Sequence, residues 1–232
     1  MKPTHYRPDE LLPTEAPLGH PFADPDHYSG DLALLNYLLQ DLRVVVRQIA
    51  AGDAAWSNYD EIEWQVHGLQ RRTVICDRDT LVEPETRLAV GFFGDRRASS
   101  PAVDIDGTEL NVVGEFRHFP GIISYSSIEL VGHQWANLVV HTSGADRSDW
   151  RHSRIHIDAA ERVAPEIYHN VRIHNGCIPG GPIGSGTLVL ERTKYWDYDV
   201  QPVWHASREL PGGGIEEVAT APGDPRTDVG SR

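Results

Sequence analysis

The hydrophobic pattern of the first third of the chain predicts an extended arm followed by a long helix. Proline recurs every four or five residues from Pro3 to Pro25, which disfavours both helix and sheet over residues 1–28. From residue 29 to 51, apolar residues recur at steps of three and four, as on one face of an α-helix. This stripe consists of Leu34, Leu35, Leu38, Leu39, Leu42, Val45, Val46 and Ile49. A weaker helical pattern covers residues 56–70, so residues 29–85 are expected to form a helical extension.

The middle of the chain, residues 86–176, predicts the order strand, helix, strand, strand, helix, strand. The elements are Leu88–Phe93, Glu109–Phe119, Ile122–Leu130, Trp135–Thr142, a helix from Ser148 or Asp149 to Val163, and Tyr168–His174. This order is typical of an α+β fold with a ferredoxin-like βαββαβ core. Such a sheet has one helix-covered face and one bare face. A second copy of the chain is the simplest cover for the bare face, so we expect a homodimer that forms a dimeric α+β barrel.

The C-terminal part predicts one further strand and a flexible tail. Residues 187–193 form an apolar run after a loop rich in Gly and Pro, which predicts a strand. Residues 209–232, the larger part of the predicted tail 201–232, are rich in Gly, Pro, Asp, Glu and Ser and contain few apolar residues. The chain is therefore divided into an extended arm (1–28), a helical extension (29–85), an α+β barrel domain (86–200) and a tail (201–232).

Composition and charge exclude several function classes. The formal net charge is −13, which disfavours nucleic acid and anionic membrane surfaces as partners. The chain has no apolar run of about 18 residues and no signal-peptide pattern at its start, so we expect a cytoplasmic protein. Cys76 and Cys177 lie far apart in sequence and form no CxxC, so we expect two free thiols rather than a zinc site.

A family resemblance rests on two short stretches of the middle segment. Residues 150–160 read Trp-Arg-His-Ser-Arg-Ile-His-Ile-Asp-Ala-Ala, and Phe119-Pro120-Gly121 precedes the second strand. The pattern W-R-x-S-x-x-H-x-x-A after an apolar strand resembles the antibiotic-biosynthesis-monooxygenase-like group of dimeric α+β barrel proteins. This group includes cofactor-free monooxygenases, haem-degrading enzymes, chlorite-dismutase-like haem proteins and polyketide cyclases. The resemblance therefore implies a small-molecule enzyme without selecting one reaction.

Candidate site residues on the second predicted helix are Trp150, His152 and His156. His152 and His156 are spaced i, i+4, so they share one helix face and can hold a metal or a haem iron. His156 matches the histidine of the family pattern and is the first candidate for catalysis and for metal ligation, whereas Trp150 and His152 are candidates for substrate binding. The alternative is a partly exposed histidine pair on a polar helix face.

Strand parity supplies the remaining candidates. Tyr168, Asn170, Arg172 and His174 share one face of the last strand, with Val171 and Ile173 on the other face. Arg172 suits electrostatic stabilisation, His174 suits acid–base work and Tyr168 suits substrate binding. An interface hydrogen-bond network is the alternative.

The resemblance also implies a catalytic role for Trp135 and Asn137, because Asn and Trp residues serve cofactor-free monooxygenases of this group. The alternative is a structural Trp and a hydrogen-bonded structural Asn.

These residues predict one pocket lined by Trp135, Asn137, His156, Arg172 and His174. We expect a small-molecule enzyme of specialised metabolism or catabolism, oxidative and monooxygenase-like, that acts on an aromatic or polyketide-like compound with haem or no cofactor. A cofactor-free cyclase, isomerase or lyase in the same pocket is one alternative, and a non-catalytic ligand-binding dimer is another. A pocket filled by its own aromatic side chains would favour the binding module, and a polar cavity would favour an enzyme.

Overall fold

Nine strands form one mixed sheet in the computed structural model, which describes residues 8–66, 68–98, 113–132 and 134–210. The strands are β1 Asp9–Leu11, β2 Glu61–Val66, β3 Leu69–Ile75, β4 Arg87–Arg96, β5 Ile122–Glu129, β6 Gln134–His141, β7 Tyr168–Ile178, β8 Val189–Asp197 and β9 Trp204–Glu209. Their order across the sheet is β1-β9-β8-β7-β4-β6-β5-β3-β2. The edge pair β1 and β9 is parallel, and the other neighbours are antiparallel.

The helices lie on both sides of this sheet. They are a 3₁₀ helix Pro21–Ala23, α1 His27–Ala51, α2 Arg78–Leu81, a second 3₁₀ helix Phe116–His118, α3 Gly144–Arg151, α4 Arg154–Asp158, a π-helical turn Ala159–Val163 and α5 Ala164–Ile167. The long helix α1 ends at Gly52, whose φ of 73° and bonds to the carbonyls of Gln48 and Ile49 close the last turn. No helix in the described ranges is long and apolar enough to span a membrane.

The main core lies between α1 and the centre of the sheet. The predicted stripe of α1 is confirmed, because Leu35, Leu38, Leu39 and Leu42 are all fully buried in this core. The helix approaches β4 very closely at Gly91, where an added Cβ would lie 2.5 Å from the Leu35 side chain. We call the sheet face that α1 covers the α1 face.

A second apolar cluster lies on the other side, which we call the opposite face. Val74 and Tyr125 are paired on β3 and β5, and they pack with Phe116 and Trp150 from the connecting helices. The rings of Phe116 and Trp150 meet edge to face at 5.3 Å. The segment from α3 to α5 therefore contributes to the opposite face while α1 covers the α1 face.

The predicted ferredoxin-like core is wrong as a fold class. The four strands of the middle segment lie side by side as β7-β4-β6-β5, but they are the centre of one sheet that continues through β8, β9 and β1 on one side and β3 and β2 on the other. The bare face that suggested a homodimer does not exist over the core, because α1 covers it. The homodimer therefore stays a prediction without that support.

The error arose chiefly outside the middle segment. Residues 56–70 were expected to be helical, but β2 and β3 form an antiparallel hairpin there. Ile62 and Trp64 are half-buried whereas Glu61 and Glu63 are exposed, which is the period of a strand. Strand β9 occupies part of the predicted tail, and β1 forms within the proline-rich arm because Asp9–Leu11 contains no proline.

The second predicted helix is also interrupted. Ser143 caps α3 through its side chain, rather than Ser148 or Asp149, and Ser153 caps a new helix at Arg154. The predicted helix residues 109–112 and the tail residues 211–232 lie outside the described part of the chain. Both cysteines, Cys76 and Cys177, are free and buried, as expected.

Candidate functional site

The candidate site is a cavity of about 110 Å³ on the α1 face, between the start of α1, strands β7 to β9 and the N-terminal arm. The polar side chains that line it are Asp31, Arg172, His174, Thr193, Tyr195 and Arg208, together with Asp24, His27 and Tyr28 around the start of α1. Pro13 and Pro25 of the arm complete the wall. The space suits several water molecules or a small organic ligand, and it is smaller than the roughly 300–1,000 Å³ of pockets for drug-sized ligands.

Asp31 reaches the cavity because it lies on the buried stripe of α1. It precedes Leu35 by four residues, so it occupies the same helix face one turn closer to the N-terminus. Its side chain is buried, with only 6% of the residue exposed. A buried carboxylate needs charged or hydrogen-bonding partners, and β7 supplies both.

Arg172 and His174 stand side by side on the α1 face of β7 and both bind Asp31. Arg172 donates from Nε to Oδ2 of Asp31 at 2.7 Å and from Nη2 to Oδ1 at 2.8 Å, which is a bidentate pair. His174 Nε2 lies 2.9 Å from the same Oδ2 atom. His174 is 2% exposed, and its ring meets the ring of Phe93 edge to face at 5.5 Å.

The protonation state of this cluster follows from its contacts. Burial tends to raise the pKa of Asp31, but the hydrogen bonds from His174 and Arg172 outweigh burial and hold that pKa below its usual value. Burial lowers the pKa of His174, although the bond to Asp31 opposes the shift. Asp31 is therefore ionised and only accepts, so the neutral His174 carries its proton on Nε2 and leaves Nδ1 as an acceptor.

Thr193 and Tyr195 extend the hydrogen bonds along β8. The Thr193 hydroxyl lies 2.8 Å from His174 Nδ1 and donates to it. On the same face of β8, the Tyr195 hydroxyl accepts a hydrogen bond from Arg208 Nη1 at 2.8 Å. Burial raises the pKa of Tyr195, so its phenol keeps its proton. Hydrogen bonds therefore join Thr193, His174 and Asp31 in one chain, with donation directed towards Asp31, and a separate hydrogen bond joins Arg208 to Tyr195.

Arg208 is a fully buried cation whose hydrogen-bond partners are neutral oxygens. Besides Tyr195, it donates to the carbonyl of Leu12 at 3.2 Å and to the carbonyl of Glu15. No carboxylate pairs with Arg208 within the described ranges of the chain. These hydrogen bonds hold the N-terminal arm against the cavity, and the positive charge of the Arg208 guanidinium lies beside the cavity.

The structure separates the predicted site residues. Arg172 and His174 lie together in the cavity, whereas Trp135 and Asn137 lie on the opposite face of the sheet, where the Arg96 guanidinium sits 4.3 Å from the Trp135 ring centroid. Tyr168 is also separated, because the β4–β7 register shifts at Asp95/Arg96. It packs edge to face against Phe92 at 5.3 Å instead of joining Arg172. The predicted single pocket is therefore not assembled.

The histidine pair of the second helix does not share one continuous helix face. The break at Ser153 lies between His152 and His156, so the i, i+4 argument fails. His152 is exposed and lies 2.7 Å from the Ser148 carbonyl, whereas His156 packs against Trp150 with ring centroids 5.3 Å apart. Burial lowers the pKa of His156, so its neutral form dominates.

Metal and haem ligation find little support in the described residues. No group of three or more His, Cys, Asp or Glu side chains within residues 8–66, 68–98, 113–132 and 134–210 is arranged to hold a metal ion. The cavity is much smaller than a porphyrin, and both ring nitrogens of His174 are already hydrogen-bonded. The residues of this cavity therefore do not fit haem.

Four residues of the site were missed because they lie outside the middle segment. These are Asp31, Thr193, Tyr195 and Arg208. Asp31 had a usable signal, since an acidic residue in register with a leucine stripe is destined for burial. Arg208 had no such signal, because its segment was assigned to the tail.

Comparison of the chain with protein-family models, with curated proteins and with solved structures finds no match. The resemblance to the antibiotic-biosynthesis-monooxygenase-like group therefore stays a prediction, and the function has to be argued from the cavity.

Proposed function

We propose that this chain is a small-molecule enzyme that performs acid–base chemistry without oxidation or reduction, of the isomerase or lyase type. One observation carries the proposal: the hydrogen-bond chain from Thr193 through His174 to Asp31 lies in the wall of a cavity. A neutral histidine held between a carboxylate and a hydroxyl is the arrangement that general-base catalysis requires.

The proposed step moves one proton along this chain. Thr193 Oγ1 accepts a proton from the substrate while it passes its own proton to His174 Nδ1. The imidazolium that forms is stabilised by Asp31, whose carboxylate lies 2.9 Å from Nε2. The reverse transfer returns the proton to another substrate atom, so no oxidant or cofactor is needed to balance the reaction.

The charges around the cavity favour a small substrate with a carboxylate or an enolate oxygen. Arg208 is buried beside the cavity without a carboxylate partner among the described residues, so an anion would compensate its charge. Arg172 reaches the same cavity, and its Nη1 makes only a long 3.5 Å bond to the Phe22 carbonyl. Two guanidinium groups can thus stabilise the negative charge that develops on a carbonyl oxygen.

Two features favour this reaction over the alternatives. Trp135 and Asn137, which the family resemblance assigned to oxidative catalysis, lie across the sheet from the cavity. Nine of the twelve residues that line the cavity carry a polar side-chain group, and a site filled by its own aromatic side chains was the expectation for a binding module. Oxidative chemistry on an aromatic or polyketide-like compound stays an untested prediction.

The test is proton exchange at carbon measured by ¹H NMR in D₂O. Pyruvate, 2-oxobutyrate and acetoacetate are small carboxylates with acidic C–H bonds next to a carbonyl, so they serve as probes. The wild-type protein is expected to accelerate exchange for at least one probe. The variant Thr193→Val keeps the shape of the side chain but removes the hydroxyl, and it should lower the rate by roughly 10²-fold or more.

Two further variants make the result specific. Thr193→Ser restores a hydroxyl at the same position and should recover most of the lost rate. His205→Gln, on a neighbouring strand but outside the cavity lining, is the matched control and should match the wild type. Binding of a probe with equal exchange in the wild type and Thr193→Val would leave a ligand-binding module and would refute the enzyme.

A further inference from the structure

Strand β4 lies beside the Asp31 cluster, by which we mean Asp31, Arg172 and His174. On the α1 face of this strand, Gly91 pairs in register with His174, and Phe93 pairs in register with Arg172. Residues that are paired across antiparallel strands share one face, so both β4 residues are neighbours of the cluster. Neither residue carries a group that can transfer a proton. Any contribution to the proposed reaction must therefore come through the geometry of the cluster.

Gly91 determines how closely α1 approaches the sheet. The Cβ atom of an alanine at this position would lie 2.5 and 2.8 Å from the two methyl carbons of Leu35 and 3.2 Å from its branch carbon. Because all three carbons crowd the same point and Leu35 is fully buried in the core, rotation of one methyl group does not relieve the contact. Non-bonded carbon atoms prefer a separation of about 3.5–4.0 Å, so α1 would have to move outward by about 1 Å.

Asp31 would move together with this part of α1. It precedes Leu35 by one helical turn on the same helix face. Its Oδ2 atom lies 2.9 Å from Nε2 of His174, and N–H···O hydrogen bonds rarely exceed about 3.2 Å. An outward movement of about 1 Å would therefore break this bond, so the absence of a side chain at Gly91 allows Asp31 to reach His174.

Phe93 prevents His174 from following the helix. The rings of Phe93 and His174 meet edge to face with their centroids 5.5 Å apart, and the guanidinium carbon of Arg172 lies 5.4 Å from the centroid of the same Phe93 ring. Phe93 is itself buried, and Thr193 binds the other ring nitrogen of His174 at 2.8 Å. The position of the His174 ring is thus set by the sheet, whereas that of Asp31 is set by α1.

We propose that Gly91 and Phe93 are positioning residues for the proton transfer. Gly91 sets the distance from Asp31 to His174, and Phe93 holds the His174 ring in the orientation that points Nε2 at the carboxylate. The expected effect on the rate rests on the proposed function, whereas the hydrogen bond itself can be measured without a substrate. A misplacement of about 1 Å costs roughly 10²-fold in rate, so Gly91→Ala should slow proton exchange by about that factor.

The test is the ¹H NMR signal of the proton on His174 Nε2, recorded for wild type, Gly91→Ala, Leu35→Ala and the double variant. A ring N–H that donates to a carboxylate gives a signal far downfield, which is lost when the bond is broken. Wild type and Leu35→Ala should show this signal, and Gly91→Ala should not. The double variant lacks all three crowded carbons, so it should regain the signal and most of the exchange rate. Two changes that acted only on stability would add instead of compensating each other.

Two further variants separate positioning from stability. Val74→Ala shortens a buried side chain of the opposite face, so it should destabilise the protein and keep both the signal and the rate. Phe93→Leu keeps an apolar side chain but removes the ring, and it should weaken the signal without any change in α1. Folding of every variant is checked by circular dichroism.

The possible results distinguish this inference from the proposed function. A downfield signal that persists in Gly91→Ala, or that is missing from the double variant, would overturn the role of Gly91. An unchanged signal in Phe93→Leu would overturn the role of Phe93. If the signals behave as expected but wild type exchanges no probe, the two residues still position the cluster, and the proposed reaction is refuted.

Discussion

His141 should make the protein sensitive to mild acid. This residue ends β6 on the opposite face, is 1% exposed, and its Nδ1 atom has no hydrogen-bond partner within the described residues. Burial lowers the pKa of His141 to about 4, with a further contribution from Arg147 and His156 and an opposing one from Asp146. The folded protein therefore keeps this imidazole neutral at a pH where an unfolded chain would protonate it.

The sign and the size of the effect follow from that difference. The pKa is about 4 in the folded state and near 6.5 in the unfolded state, so the unfolded chain binds the additional proton between these values. The free energy of unfolding is unaffected above pH 6.5 and falls as the pH decreases towards 4. At ~1.4 kcal/mol per pH unit, the full loss attributable to His141 is about 3 kcal/mol.

Urea denaturation at pH 7.5 and pH 4.5 measures this loss. Between the two pH values, wild type should lose about 2–3 kcal/mol more than His141→Leu, because leucine fills the site but binds no proton. Asp31 and His174 also have lowered pKa values, so their protonation also lowers the free energy of unfolding in acid. This contribution is the same in wild type and in His141→Leu, so it cancels in the comparison. His152→Gln, an exposed histidine change, should behave as wild type. An equal loss in wild type and His141→Leu would show that His141 is not a source of the acid sensitivity.

Two further changes test the packing of the sheet. Gly91→Ala places a methyl group 2.5 Å from the Leu35 side chain and should lower the free energy of unfolding, measured in urea, by about 1–3 kcal/mol. Gly114→Ala is the control, because Gly114 has open space around it and the change should leave the stability unaffected. Equal stability of the two variants would count against the close approach of α1 to β4. Arg208→Met removes the hydrogen bonds that Arg208 donates to the carbonyls of Leu12 and Glu15, so limited proteolysis should cut the arm sooner than in wild type. An unchanged cleavage rate would show that the arm is held by other contacts.

Local pattern predicted the elements that depend on it. The stripe from Leu35 to Ile49 predicted α1 because a helix that packs on a sheet needs one wide apolar face. The strands near Ile122 and Trp135 were also predicted from local pattern, because each contains a short run of apolar residues that is buried in the sheet. The prediction of a helix over residues 56–70 was wrong, because the spacing of the apolar residues there fits both the period of a helix and the alternation of a strand.

The site could be predicted only in part, because it depends on pairings between distant segments. Arg172 and Asp31 are separated by 141 positions, and the sheet order that brings them together leaves no trace in either local sequence. Strand parity correctly placed Arg172 and His174 on one face, but the register shift near Tyr168, four residues before Arg172, broke the same parity argument there. Asp31 was detectable in principle from its place on the leucine stripe.

The proposed proton transfer from Thr193 requires that His174 be neutral in the resting protein, with an unprotonated Nδ1 atom. A long-range ¹H–¹⁵N spectrum at pH 7, with the signals of His174 assigned from His174→Gln, reports both ring nitrogens. We expect a neutral ring with its proton on Nε2, and an Nδ1 signal that moves in Thr193→Val when the donated hydrogen bond is lost. A doubly protonated His174 at pH 7 would contradict it, because an imidazolium bound to Asp31 has no acceptor for the Thr193 proton.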